Sequence, residues 1–140
     1  MSLSRPLEVE IPVSVKTYDI DFAGVVSNIV YIRWLEDLRL KLLDVHLPFD
    51  KQMQQGNVPF LMKTEIVYKR PIKLFDNIVA KMWVSQLGKV KVTMEAEFIS
   101  NNQIAATAIQ IGSFVSSESN RPVKMPEELV KKYLQHQTVV

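Results

Sequence analysis

The chain has 140 residues, 47% hydrophobic and 23% charged, with a formal charge of +2; this is the make-up of one globular domain and excludes a disordered or collagen-like chain. It has no cysteine, two histidines and four glycines, so thiol nucleophiles, disulfides and thiolate-held zinc or iron–sulfur centres are excluded. Gly24, Gly56, Gly88 and Gly112 stand apart, leaving no phosphate-cradling loop or dinucleotide fingerprint.

The 15 carboxylates are the main acid/base stock. The small positive charge fits an anionic small ligand but forms no basic stripe with interleaved aromatics, so nucleic acid is not expected as a partner. Met1–Pro6 lacks the apolar stretch of a secretory signal, and no run approaches the ~20 residues of a membrane span. The expectation is a cytoplasmic protein without a transmembrane segment.

From Leu7 to Val15 the apolar residues fall on odd positions, the period of a half-buried strand. Pro12 cannot donate to a ladder and marks an edge or a bulge. After the loop 20–26, Tyr31, Trp34, Leu35, Leu38 and Leu42 form one helical stripe within a helix predicted from Ser27 to about Val45. Ser27 or Asn28 can cap its start, and Pro48 lies beyond its end. On its polar side Arg33/Asp37 and Asp37/Lys41 have ion-pair spacing, so Glu36 and Asp37 read as solvated acids. His46 is expected to meet the last helix carbonyls, and His136 to lie in a tail.

Residues 46–60 read as a connection with one helical turn around Asp50–Gln55. Strands follow at Phe60–Lys69, Asn77–Gln86, Lys89–Ser100 and Gln103–Val115, rich in β-branched and aromatic residues and joined by short turns into an antiparallel meander. Pro126 with Glu127 and Glu128, then Lys131 and Lys132, predicts a C-terminal helix over about 126–140. One long helix against one antiparallel sheet is an α+β layer, and residues 1–140 read as one domain. That helix cannot cover the whole sheet. Val79, Trp83 and Ile99 fall on the opposite sheet face, which predicts self-association.

Two acids, Asp19 and Asp21, precede Gly24 and a helix start. Such a start offers unpaired N–H groups for a polarised carbonyl oxygen, while a neighbouring carboxylate can attack that carbonyl or activate water. Equally, both acids can simply cap backbone donors in Asx turns.

Asp21-Phe22-Ala23-Gly24-Val25-Val26, continuing through Tyr31, Trp34 and Glu36, resembles the motif of the 4-hydroxybenzoyl-CoA thioesterase family, including its Tol–Pal-associated acyl-CoA thioesterase branch. Tyr68-Lys69-Arg70-Pro71 with Asp76, and Arg121-Pro122-Val123-Lys124-Met125-Pro126, extend the resemblance over about residues 8–130. The resemblance implies a hotdog fold, a long central helix wrapped by a five- to six-stranded antiparallel sheet. It implies hydrolysis of a fatty-acyl-CoA or aroyl-CoA, with Asp21 as nucleophile or general base, the backbone N–H near Asn28 polarising the carbonyl, and Gly24 permitting the turn. Many members of the acyl-CoA branch carry histidine where this chain has Asn28.

Tyr31, Trp34 and Met53 are expected either beside the acyl group or as plain core residues. Arg70, Lys89 and Lys91 are the cations singled out for the phosphates of coenzyme A, the alternative for each being a solvated surface charge. The family uses no metal or redox cofactor, coenzyme A being part of substrate and product. Its members form homo-oligomers, dimers or dimers of dimers (homotetramers). The alternative is a hotdog protein that binds acyl-CoA, or an acyl carrier, without turnover.

Overall fold

The computed structural model describes residues 5–139, apart from the side chains of Phe49, Met53 and residues 137–139. Strand β1 (Val9–Val13) leads through a 3-10 turn (Thr17–Asp19) into α1 (Asn28–His46) and the short α2 (Phe49–Gln54). Then come β2 (Asn57–Tyr68), β3 (Ile78–Leu87), β4 (Lys91–Ser100), β5 (Gln103–Ser116), β6 (Pro122–Val123) and α3 (Glu127–Val139). No described helix is long and apolar enough to cross a membrane.

Ser27 starts α1: its backbone is extended (φ −63°, ψ 142°) and its Oγ accepts the Ile29 N–H at 3.4 Å. Val30, Tyr31, Trp34, Leu35, Leu38 and Leu42 form its buried stripe, as the 3.6-residue period requires. The anticipated Arg33/Asp37 and Asp37/Lys41 ion pairs are not formed among the described residues; such exposed pairs gain too little to hold two long side chains in place.

At the other end of α1, the Leu47 N–H donates to the Leu43 carbonyl at 2.8 Å, and Lys132 Nζ of α3 donates to the His46 carbonyl at 2.7 Å. Lys132 thus does what the sequence suggested for the His46 side chain. The His46 ring is instead turned inward, with Nε2 buried and without a hydrogen-bond partner among the described residues. Burial, then the nearby Lys132 charge, hold its pKa below the usual histidine value, against the opposing pull of the Leu7 and Glu8 backbone.

The sheet is antiparallel in the order β1-β3-β4-β5-β2, with β6 added to β5 at Phe114 and Val115. Pro12 does lie on an edge strand, since among the described residues β1 pairs with β3 alone. Strands β3, β4 and β5 form the predicted meander, but β2 leaves it and pairs with the far side of β5, Thr64 opposite Gln110. Segment 69–77 explains the crossing, because it is pinned across the end of the sheet. The Lys69 and Arg70 N–H groups both donate to the Ala105 carbonyl (2.8 and 2.9 Å), and the Val26 N–H to the Ile72 carbonyl (2.8 Å).

Ala80, Ala96, Ala106 and Ala108 stand buried on the inner face beside Met82, Val84 and Phe98. Their small side chains let α1 lie deep in the curve of the sheet, where its apolar stripe is removed from water. This is the hotdog fold, with six strands.

The outer face differs from the sequence expectation. Val79, Trp83 and Ile99 are half-buried rather than exposed. The Arg5 guanidinium lies 3.8 Å from the Trp83 ring centroid and bonds Glu97 at 2.9 Å, so the chain covers this tryptophan with its own leading segment.

Candidate active site

Between the 3-10 turn and α1 the chain makes a small closed hairpin. Ile20 and Val26 form a β-bridge, the Ser27 N–H donates to the Asp19 carbonyl at 2.9 Å, and the Asp21 N–H donates to the Val25 carbonyl at 2.9 Å. Gly24 closes the tip, its N–H donating to the Asp21 carbonyl at 3.0 Å with φ at +81°. That left-handed conformation is open to glycine at little cost. The hairpin thus returns the chain from Asp21 to the start of α1.

The two acids have different surroundings. Asp19 is buried and its Oδ2 accepts the Lys16 N–H at 2.8 Å, so it holds the 3-10 turn. Asp21 is half-buried, with Oδ1 accepting the Ala23 N–H at 2.8 Å and Oδ2 without a partner among the described residues. Both therefore form the caps that spacing allowed, but only Asp21 keeps an oxygen for other chemistry. The first helical residue, Asn28, is exposed and its N–H has no partner among the described residues, as helix geometry dictates for the first turn. A carboxylate and a free N–H with the positive end of the helix dipole therefore share one end of the molecule.

Beneath this end lies an aromatic cluster. Tyr31 makes edge contacts with Trp34 (5.3 Å between centroids), Tyr68 (5.1 Å) and Phe98 (5.4 Å). Burial, then the neighbouring Tyr68, pushes the Tyr31 hydroxyl up to about 12, so it stays a neutral donor. Tyr31 and Trp34 are core residues here, while Tyr68, from β2, is 44% exposed and presents the cluster to solvent. The sequence alone assigns Tyr68 no role; its place in the Tyr68-Lys69-Arg70-Pro71 motif is the signal available there. Met53 lies outside the described side chains.

Of the predicted cations, Arg70 is exposed at the same end as Asp21, because segment 69–77 is tied to Val26. Lys89 and Lys91 are not brought there within one chain. They belong to the β3–β4 hairpin at the opposite end of the sheet, where Lys91 pairs with Ser113, whereas the Asp21 end carries Ile78 opposite Ser100. A ten-residue strand separates the two ends, roughly 33 Å at ~3.3 Å per residue. Among the described residues no group of three or more His, Asp or Glu is arranged to hold a metal.

Among the described residues, two of the cavities lie against strands β2, β4 and β5. One, of about 240 Å³, lies between the later half of α1 and the inner sheet face; the other, of about 270 Å³, lies beside Phe60, Met62 and Lys91. Neither is lined by the Asp21 hairpin.

A comparison with curated protein sequences gave no significant match. Among solved structures, the chain is similar to a DHNA-CoA thioesterase from Staphylococcus aureus (TM-score 0.86, 16% identity, 94% of this chain and 92% of that one). It is also similar to a thioesterase from Thermus thermophilus complexed with coenzyme A and Zn (0.80, 22%, 95% and 96%), and to a gentisyl-coenzyme A thioesterase (0.80, 16%, 89% and 99%). At these identities the structures speak for the fold. The sequence itself carries the family: residues 15–133, which include the Asp21 hairpin, the whole of α1 and the sheet from β2 to β6, match the thioesterase-like superfamily, and the chain belongs to it.

Proposed function

We propose that the protein hydrolyses the thioester bond of a fatty-acyl-CoA or aroyl-CoA at the Asp21 end of α1. The observation that carries this reading is the hairpin itself, which holds a carboxylate with one oxygen unpartnered among the described residues at the same end as the Asn28 N–H, likewise unpartnered among them. The thioester oxygen accepts hydrogen bonds at the helix start, where developing negative charge is favoured. Asp21 then either attacks the carbonyl carbon, forming an anhydride that water opens, or removes a proton from the attacking water. In both routes the C–S bond breaks and the thiolate leaves as coenzyme A, taking up a proton. The reaction needs no metal or redox cofactor. Asn28 in place of histidine leaves the N–H donor intact, since that donor is backbone.

The protein is proposed to act in the cytoplasm as a homodimer or a dimer of dimers. Among the described residues the outer edge of β2 is unpaired over twelve residues, with Phe60, Leu61 and Met62 exposed on it; a long, apolar, unpaired edge is a template for another strand. Antiparallel pairing of two such edges would turn the Lys91 end of one subunit toward the Asp21 end of the other. Lys89 and Lys91 would then serve the phosphates across the boundary, beside Arg70. Exposed Ile104, Ile109 and Val67 on the outer face offer a second surface for pairing dimers.

The test is release of free thiol from a panel of acyl- and aroyl-CoA substrates. The chain has no cysteine, so a thiol-reactive dye reads product without background from the protein. Asp21→Asn is expected to lose about 10²–10⁴-fold in rate with an unchanged melting temperature, and equal activity in that variant would refute the role of Asp21. Single turnover in ¹⁸O-water separates the two routes: label in the Asp21 carboxylate marks the anhydride.

A further inference from the structure

The cavity between α1 and the inner sheet face contains a charge that the proposed hydrolysis does not use. Its walls are largely aliphatic: Leu40 and Leu43 from α1, Val84 and Met94 from the sheet. Gly112 opens it, standing on the inner face where its neighbours two residues away, Gln110 and Phe114, carry large side chains. Arg39 also lines it and is half-buried. Its Nη1 donates to Gln110 Oε1 at 2.9 Å, and Gln110 Nε2 donates to Thr64 Oγ1 at 3.0 Å. Gln110 is 1% exposed, so the guanidinium is anchored to the core of the sheet.

What Arg39 lacks is an anion. No described carboxylate lies within ion-pair distance of it. Glu36, one turn earlier on the same wall, is near enough to favour the charged form but remains exposed to solvent. Burial acts the other way and lowers the Arg39 pKa, although guanidinium stays protonated in proteins. One donor is used by Gln110, which leaves the rest of the fork for a planar acceptor, and a carboxylate can take two of its N–H bonds.

We propose that this cavity is a binding site for an apolar monocarboxylate, its chain among the leucines and its carboxylate on Arg39. The size agrees: about 240 Å³ is below the ~300–1,000 Å³ of sites for drug-sized ligands and suits a short hydrocarbon body. Glu36 on the same wall repels a second negative charge, which disfavours phosphates and other dianions. The carboxylate comes either from a free acid, the product of the hydrolysis, or from the far end of a dicarboxylyl thioester; this source alone rests on the functional proposal above.

Calorimetry on the full chain tests the binding directly, with octanoate, octan-1-ol and octylammonium as probes. Octanoate is expected to bind at least about tenfold more tightly than octan-1-ol, the usual worth of a hydrogen bond to a charged group. Arg39→Met is expected to erase that preference while octan-1-ol binding stays within about threefold. Leu40→Trp, at a 49% exposed position where folding is safe, is expected to fill the mouth and weaken both ligands. Equal binding of octanoate and octan-1-ol, or octanoate binding that neither variant weakens, would overturn the site. Kinetics then separate the sources: Arg39→Met relieves inhibition by free octanoate in one case, and in the other lowers kcat/KM for ω-carboxyoctanoyl-CoA relative to octanoyl-CoA. A protein that hydrolyses no thioester refutes the functional proposal, and the calorimetric result decides the site independently.

Discussion

The Val26 N–H donates to the Ile72 carbonyl at 2.8 Å, joining the hairpin of Asp21 to the segment between β2 and β3. One hydrogen bond thus couples two stretches far apart in sequence. One brings the candidate catalytic carboxylate, the other Arg70 and the turn in which Asp76 accepts from the Lys73 N–H at 2.9 Å. Beyond its tie to Ile72, the hairpin depends on Gly24.

At Gly24 an added Cβ would meet nothing within 4 Å, so the only cost of a side chain is the left-handed backbone. Gly24→Ala is expected to destabilise by ~1–2 kcal/mol, read as a lower melting temperature, and to slow thiol release. Gly24→Asn, whose side chain tolerates this region, is expected to lose less of both.

Ser27→Ala removes the cap of α1. Because the existing bond to Ile29 is long, at 3.4 Å, the expected loss is toward the lower end of the range, about 0.5–1 kcal/mol, checked by urea denaturation. Ser27→Asp restores the acceptor and adds negative charge at the helix start. It is expected to regain stability while slowing hydrolysis, since it competes with the thioester oxygen.

The His46 ring gives a pH dependence with a definite sign. Its folded pKa lies below the usual value, so the unfolded chain binds more protons below its own pKa of about 6.5. Stability is therefore unaffected by His46 above that pH and falls as the pH drops from there toward the folded pKa. Melting temperatures at pH 7.5, 6.5 and 5.5 should show the fall, and His46→Gln should flatten it. Asp76, whose pKa is lowered chiefly by the Lys73 N–H, acts only at more acidic pH, where its protonation forfeits stability.

Charge on the β2 edge should block strand addition. The double substitution Phe60→Lys, Met62→Lys, at positions 55% and 48% exposed, is expected to move the protein to the 16.1 kDa of one chain in size-exclusion chromatography. Hydrolysis should fall with it if the phosphates are held across the boundary. A parent protein that already elutes as one chain would remove the dimer.

Much of this architecture is local and could be read from the chain. The helical stripe from Tyr31 to Leu42, the alternation in β4 and the sequence Asp21 to Gly24 before a cap each follow from periodicity or from one residue's backbone preference, which neighbours in sequence decide. Even Pro12 declared its edge position, because a missing N–H has the same consequence in any sheet. Tertiary structure decided whatever depends on which strands meet. The sequence predicts β2 as the first strand of a meander, yet it pairs across β5, because segment 69–77 is tied to Ala105 and Val26. That pairing sets Thr64 beside Gln110 and brings both under Arg39, a triad separated by 25 and 46 residues in sequence. The register of β4 against β3 and β5 puts Lys91 at the end of the sheet away from Asp21, and the fold lays Arg5 over Trp83. Spacing along the chain is silent on such contacts, since they arise from register and strand order, which are fixed only when the whole apolar face closes on α1.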